Sequence, residues 1–148
     1  MHALSAIGRF EGLEHHFALR VYFEDTDLTG VVYHANYLRY MERARSDMLL
    51  AAGVDQRTTF ESGEGAYALR SIRLDYRAPA RLGEDLTVAS RLVSLRAAAV
   101  VIQQRVMRGE TIVAQGEVEA AFVSPTGRPR RQPAAWIAAF EPLLWKGN

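Results

Sequence analysis

Val21-Tyr22-Phe23-Glu24-Asp25-Thr26-Asp27-Leu28-Thr29-Gly30-Val31-Val32-Tyr33-His34-Ala35-Asn36-Tyr37 joins the end of an alternating strand to the start of a long helix. On its N-terminal side, Phe17, Leu19, Val21 and Phe23 fall on one face and Ala18, Arg20, Tyr22 and Glu24 on the other, the period of a strand with one face in a core. On its C-terminal side, Tyr37, Met41, Ala44 and Met48 recur at helical spacing with Tyr40 and Ala51 alongside. Arg39, Glu42, Arg43, Ser46 and Asp47 fall mostly elsewhere, and Gly53 predicts the helix stop. The turn from Asp25 to Gly30 carries two carboxylates, and His34 follows seven residues after the second. An acid therefore sits beside a helix N-terminus. The unpaired N–H groups and partial positive charge there stabilise a carbonyl oxygen that becomes negative while Asp27 acts on its carbon. Acyl transfer or hydrolysis needs this arrangement.

Beyond the helix, a polar connection from Asp55 to Gly65 leads to strand-like runs near Ala66 to Ala78, Asp85 to Leu95, Ala97 to Arg108 and Thr111 to Ser124. In the last run, Ile112, Ala114, Gly116, Val118, Ala120 and Phe122 share a face opposite Gln115, Glu117 and Glu119, and Arg108-Gly109-Glu110 supplies the hairpin turn before it. The tail Pro125-Thr126-Gly127-Arg128-Pro129-Arg130-Arg131-Gln132-Pro133 is turn-rich and basic. After it, Trp136, Ile137, Phe140, Leu143 and Leu144 predict a short helix whose last turn Pro142 would strain. One strand, one long helix and four further strands make an α+β architecture in which the helix covers one face of an antiparallel sheet. The other face and an edge strand still need cover, and a second subunit is the simplest.

Length and composition narrow the function classes. At 148 residues, 49% hydrophobic and 24% charged, the chain is expected to form a single domain over 1–148, with a core at about 17–124 and a tail at 125–148. A net charge of +1 gives no bulk attraction to nucleic acid or anionic lipid, so any anion site must be local. The absence of cysteine removes thiol nucleophiles and thiolate metal sites and fits a reducing compartment; with no apolar signal core or membrane-length segment, a cytoplasmic location is the expectation. Gly63-Glu64-Gly65 lacks the flanking strand and helix of a dinucleotide fingerprint, and no serine has a nucleophile-elbow context. Asp25-Thr26-Asp27 invites a divalent metal, but no further ligand lies at suitable spacing, and His15-His16 reads as an exposed lead-in to the strand; no metal is expected.

Val21 to Asp27, Gly30 to Tyr37 and Glu42-Arg43-Ala44-Arg45 resemble the acyl-CoA thioesterases of the hotdog fold, in the 4-hydroxybenzoyl-CoA thioesterase family. The nearest likeness is to the bacterial acyl-CoA thioesterases associated with the Tol-Pal system. A second block, Arg70 to Leu86, is similar to that family's first strand after the helix. The resemblance runs from about Phe17 to Val123. It implies a long central helix wrapped by a curved antiparallel sheet of about five strands, and a homodimer or homotetramer with active sites at the dimer interface. It also implies hydrolysis of an acyl-CoA thioester to a carboxylic acid and coenzyme A, with no bound cofactor. The catalytic carboxylate is expected at Asp27 and the carbonyl-polarising backbone N–H at His34. One departure from the pattern is the bulk of Asp27-Leu28-Thr29-Gly30, where relatives often carry a small residue before the last glycine.

Within that frame Asp27 is either the nucleophile, forming an acyl-enzyme anhydride, or the general base acting on water. His34 supplies its backbone N–H, and its ring can orient water or protonate the leaving thiolate. Asp25 orients the turn, since two ionised carboxylates so close would compete for one role. Gly30, Val31, Tyr33 and Asn36 are the expected substrate-binding residues at the helix start, with Tyr37 shaping it. Arg77 and Arg81, from a group that includes Arg73, Arg128, Arg130 and Arg131, are the expected phosphate contacts. Two alternatives remain open: a hotdog hydratase or dehydratase, and an interaction protein for acyl carrier protein or the cell envelope at the inner membrane face. A dehydratase would be expected to carry its acid on the helix and its histidine elsewhere, whereas the basic tail is the feature that favours an interaction protein.

Overall fold

The computed structural model describes residues 5–147. Its strands are β1 (Arg9–Glu11), β2 (Glu14–Arg20), β3 (Ala66–Tyr76), β4 (Asp85–Leu95), β5 (Ala99–Arg108) and β6 (Thr111–Val123). The helices are α1 (Asn36–Ala51), α2 (Gln56–Glu61) and α3 (Ala134–Phe140). All six strands pair antiparallel in one sheet, in the order β1-β2-β4-β5-β6-β3. The expected count of about five is corrected to six. The extra strand, β1, has three residues, too few to show an alternating pattern, and turns into β2 at Gly12 with φ of 62°.

The hotdog arrangement follows from where apolar side chains fall. Tyr37, Tyr40, Met41 and Ala44 of α1 bury against Val21, Leu86, Val88, Val106 and Val113. One turn further along the helix, Met48 and Leu49 join Leu92, Ile102, Val118, Phe122, Trp136 and Phe140 in a second cluster. Each large side chain removed from water contributes about 1.5–3 kcal/mol, so the α1 stripe alone commits the helix to the sheet. Trp136 meets the Phe122 ring edge-on at 5.3 Å, which ties α3 to β6. Gly116 lets β6 and β3 approach: a Cβ there would lie 2.1 Å from the Arg73 carbonyl oxygen. Gly53, at φ of 84°, follows the last residues of α1 where the helix was expected to stop.

Several local expectations are corrected. The first long strand spans Glu14–Arg20, and Phe23 opens a 3-10 turn (Phe23–Asp25) with its ring in solvent. Within the Asp55 to Gly65 connection lies α2, whose cap is the Asp55 side chain accepting from the Thr58 N–H at 3.1 Å. Ala51 is exposed, whereas Asp47 is buried. His15 is also fully buried, because the β1–β2 hairpin folds over the flank of α1. Its Nε2 lies 2.9 Å from Asp47 Oδ2, and Phe10 of β1 covers its ring edge-on. Pro142 does not strain α3, since the helix ends at Phe140 and the proline sits at the start of a separate 3-10 turn (Glu141–Leu143). Among the described residues, no helix is long and apolar enough to cross a membrane.

Candidate active site

The loop between β2 and α1 is held in shape by its own backbone. Asp27 N–H donates to the Val31 carbonyl (2.9 Å), Gly30 N–H donates to the Asp27 carbonyl (3.0 Å), and Thr26 and Val32 form a bridge. Gly30 takes φ of 79°, the left-handed conformation that lets this tight turn close. The loop is pinned from outside by the segment after β3. Val32 N–H donates to the Ala80 carbonyl (2.8 Å), Val31 bridges Arg81, and Leu82 N–H donates to the Gly30 carbonyl (3.3 Å).

The two carboxylates of the turn face different surroundings. Asp25 points inward, accepting at Oδ2 from the Tyr22 N–H (2.9 Å) and at Oδ1 from Asn36 Nδ2 (3.0 Å), while its carbonyl accepts from the Tyr33 N–H (2.8 Å). It thus clamps both ends of the loop to the first residue of α1, the orienting role expected of it. The buried Tyr40 hydroxyl has no hydrogen-bond partner among the described residues; burial first, and then the charge of Asp25, push it above the usual phenol range.

Asp27 points into solvent. Its Oδ1 accepts from the Thr29 hydroxyl (2.6 Å) and the Thr29 N–H (2.8 Å). These bonds, the hydroxyl's first, hold its carboxyl below the ordinary carboxylate value of 3.8, and the charge of His34 adds to the lowering. Asp27 is therefore ionised at neutral pH, and Oδ2 meets no protein donor among the described residues. One oxygen is fixed and the other is free to attack a carbonyl carbon or to draw a proton from water.

His34 stands just ahead of α1 with an exposed ring between Tyr33 (centroids 4.4 Å apart) and Tyr76 (6.5 Å, edge-on). Among the described residues, its backbone N–H and that of Ala35 donate to no acceptor, which leaves donors at the helix start for a ligand oxygen. The His34 carbonyl accepts from the Tyr76 hydroxyl at 2.9 Å, so the end of β3 fixes the peptide that precedes α1.

The structure brings Asp27, Gly30, Val31, Tyr33, His34 and Asn36 into one loop and helix start, and sets the backbone of Arg81 beside them. Arg77 follows Tyr76 at the end of β3, and both arginine side chains are exposed with no ion pair among the described residues. Arg73 pairs with Asp75 (3.3 Å), and Arg130 donates to the Glu64 carbonyl (2.6 Å) at the far end of β3. Two contributors escaped the sequence reading. Thr29 is legible as an Asx-type turn partner two residues after Asp27. Tyr76 reaches His34 from 42 residues away and is invisible without the topology.

Comparison with known proteins places this chain in a family. Residues 21–140 match the thioesterase-like superfamily. The chain belongs to that superfamily. The acyl-CoA thioester hydrolase YbgC of Escherichia coli O6:H1 is 37% identical to it over 125 residues, covering 83% of this chain and 92% of the relative. A thioesterase-like crystal structure from Bartonella henselae, described as a probable thioesterase, superposes with a TM-score of 0.77 at 35% identity, over 81% of this chain and 99% of that one. A 4-hydroxybenzoyl-CoA thioesterase bound to 4-hydroxybenzoyl-CoA shares the fold at a TM-score of 0.77 and 21% identity, over 85% and 97% of the two chains.

Proposed function

We propose that this protein hydrolyses acyl-CoA thioesters, with Asp27 as nucleophile or general base and the donors before α1 polarising the thioester carbonyl. The observation that carries the reading is an exposed carboxylate, ionised at neutral pH and locked at one oxygen, on the same loop as unsatisfied N–H groups at a helix start. The superfamily match over residues 21–140 and the 37% identity to YbgC support the same chemistry. Charge grows on the carbonyl oxygen as the bond to carbon forms, and the N–H groups of His34 and Ala35 are placed to receive it. The thiolate of coenzyme A then departs with little need of an acid; water activated by Asp27 leaves the carboxylic acid directly, whereas attack by Asp27 itself leaves an anhydride that water then hydrolyses to the acid and the free carboxylate. The His34 ring, exposed beside the same atoms, can orient water or hand over a proton. Gly30, Val31, Tyr33 and Asn36 shape the place where the thioester lies. Arg77 and Arg81, free of ion pairs among the described residues, are the contacts for coenzyme A phosphates.

The site is built to be shared between two copies. Strand β3 is a sheet edge of 11 residues, and the side chains of Leu69, Ile72 and Tyr76 along it are 53%, 38% and 52% exposed. A long edge with apolar side chains calls for cover, and a two-fold axis through β3 supplies it by antiparallel pairing with the same strand of a second subunit. The basic stretch Arg128 to Arg131 is tied to the opposite end of β3 from Tyr76, through the Val123–Pro129 bridge and the Val123–Ala66 pair. Antiparallel pairing would therefore bring the basic tail of one copy toward the catalytic turn of the other. A homodimer, or a homotetramer of two such dimers, is the assembly this reading requires, and the cytoplasm is its proposed location. Contact with acyl carrier protein at the inner membrane face is a secondary reading, favoured by the exposed arginines of the tail.

The deciding experiment is thiol release from a panel of short, long and aromatic acyl-CoAs by the wild type and by Asp27→Asn. An asparagine keeps the Oδ1 acceptor for Thr29, so the loop should hold its shape and the melting temperature should not move. Turnover should fall on the order of 10²-fold or more. Wild-type turnover in the folded variant would remove Asp27 from the chemistry.

A further inference from the structure

Arg45, in the middle of α1, is a partly buried cation with no ion pair among the described residues, and burial depresses its affinity for the proton, with Glu42 opposing. A guanidinium drawn partly out of water ordinarily gains a carboxylate or several acceptors in exchange. Arg45 has one, Gln104 Oε1 at 2.9 Å. That acceptor is aimed by the rest of its amide: Gln104 is fully buried, and its Nε2 donates to the Met41 carbonyl (2.9 Å) and to the buried Ser90 hydroxyl (3.0 Å). The amide cannot turn over without breaking both bonds, so it holds the arginine in place. Four of the five guanidinium donors have no protein acceptor among the described residues.

Arg45 lines a cavity of about 210 Å³ whose other walls include Leu49, Leu69, Val100, Ile102 and Ala120. Glu42 stands at its rim with an exposed side chain and makes no ion pair among the described residues. A cavity with these apolar walls and one fixed cation, its polar lining otherwise Ser46, Gln56 and the Glu42 carboxylate, is complementary to an alkyl chain that ends in an acid. Its position suits the far end of a chain, since Leu38, Glu42, Arg45 and Leu49 form one stripe along α1. From the helix start to Arg45 this stripe runs about 13 Å, at 1.5 Å per residue.

We propose that this cavity receives the distal end of the acyl group and that Arg45 binds a carboxylate there, making CoA thioesters of medium-chain dicarboxylic acids preferred substrates over their plain fatty counterparts. The inference rests on the thioester-hydrolase reading given above and names the substrate class of that site. Arg45 is a specificity residue: its fork pairs with both oxygens of the distal carboxylate, and it takes no part in bond breaking.

The test compares kcat/KM for sebacyl-CoA and decanoyl-CoA, and for suberyl-CoA and octanoyl-CoA, in the wild type, Arg45→Gln and Arg45→Lys. Calorimetric titration of the same proteins with free sebacate and decanoate runs alongside. The wild type should favour the dicarboxylyl thioester by 10-fold or more, Arg45→Gln should erase that preference, and Arg45→Lys should keep only part of it because a point charge loses the two-pronged geometry. Glu42→Gln should widen the preference by removing a repelling charge at the rim. A wild-type enzyme that hydrolyses decanoyl-CoA as well as or better than sebacyl-CoA overturns the proposal without variants. Binding of free decanoate that depends on Arg45, with no dicarboxylyl preference, assigns the site to free acid and likewise overturns it. Failure to cleave any thioester refutes the hydrolase reading instead, and the proposal with it; sebacate binding lost in Arg45→Gln would then show that the cavity holds a carboxylate in another role.

Discussion

Replacing Asp47 by alanine should unfasten the N-terminal segment from α1 and cost the protein a large part of its stability. The Asp47 carboxylate accepts from the Ile7 N–H (2.6 Å), the Gly8 N–H (2.8 Å) and the buried His15 Nε2 (2.9 Å). A carboxylate only accepts here, so Nε2 carries the proton, and neutral His15 leaves Nδ1 as a buried acceptor without a partner. After Asp47→Ala both ring nitrogens are unsatisfied, at about 1–3 kcal/mol for the newly stranded donor. The two backbone N–H groups lose a charged acceptor and recover part of it from water. With roughly 1 kcal/mol for each of the two partly rehydrated backbone bonds, the sum is about 3–5 kcal/mol. For a chain of this size that lowers the melting temperature by roughly 10 °C. Urea unfolding at one protein concentration, followed by tryptophan fluorescence, measures it. The same pair gives a pH signature. Burial is the largest influence on His15 and holds its pKa below the ordinary 6.5, so the unfolded chain binds the proton that the folded one refuses. This contribution is present in full above about pH 6.5 and is lost as pH falls below it. Histidine 15 replaced by glutamine should flatten that acid slope. A loss under about 1 kcal/mol in Asp47→Ala would show that the fold does not depend on this fastening.

Two further outcomes probe the catalytic loop. Thr29→Val removes the hydroxyl that contributes most to lowering the Asp27 pKa, so the acid limb of kcat/KM should move up toward the ordinary carboxylate value, and an unmoved limb in a pH series would detach Thr29 from that control. His34→Ala keeps the backbone donor and should lose roughly 10-fold to 10³-fold in thiol release; equality with wild type at every pH would make the ring structural, and a loss as severe as that of Asp27→Asn would make the two side chains one unit.

The sequence disclosed what is encoded locally. The α1 stripe of Tyr37, Met41, Ala44 and Met48 and the limits of β4 follow from periodicity, because burial repeats at 3.6 or 2 residues wherever one sheet covers one helix. Asp27 and Gly30 sit in a turn whose hydrogen bonds span two to four residues, so that part of the site is also a local code. The misread residues depend on distant contacts. His15 looked like a solvated lead-in, yet β1 and Asp47, 32 residues away, close over it. Asp47 looked like part of a polar helix face because the partners that justify its burial lie in a segment with no periodicity of its own.

The same division explains why the proposed catalytic group is legible in the sequence and the proposed acyl-binding residue is not. Asp27 and His34 are placed by one loop, whereas Arg45 is aimed by Gln104 on β5, Ser90 on β4 and the Met41 carbonyl, three partners that meet only after the sheet has wrapped around α1. In the sequence Arg45 is one of several charges on a helix, and nothing separates it from solvated Arg39 or Arg43. In the fold, Arg39 and Arg43 are exposed while Arg45 is partly desolvated against apolar walls. The proposed reaction chemistry is thus written in a short contiguous segment. On the proposal made above, acyl preference depends on how the helix meets the sheet, so one substitution at Arg45 on α1 or at Gln104 on β5 should change it and leave the reaction type alone.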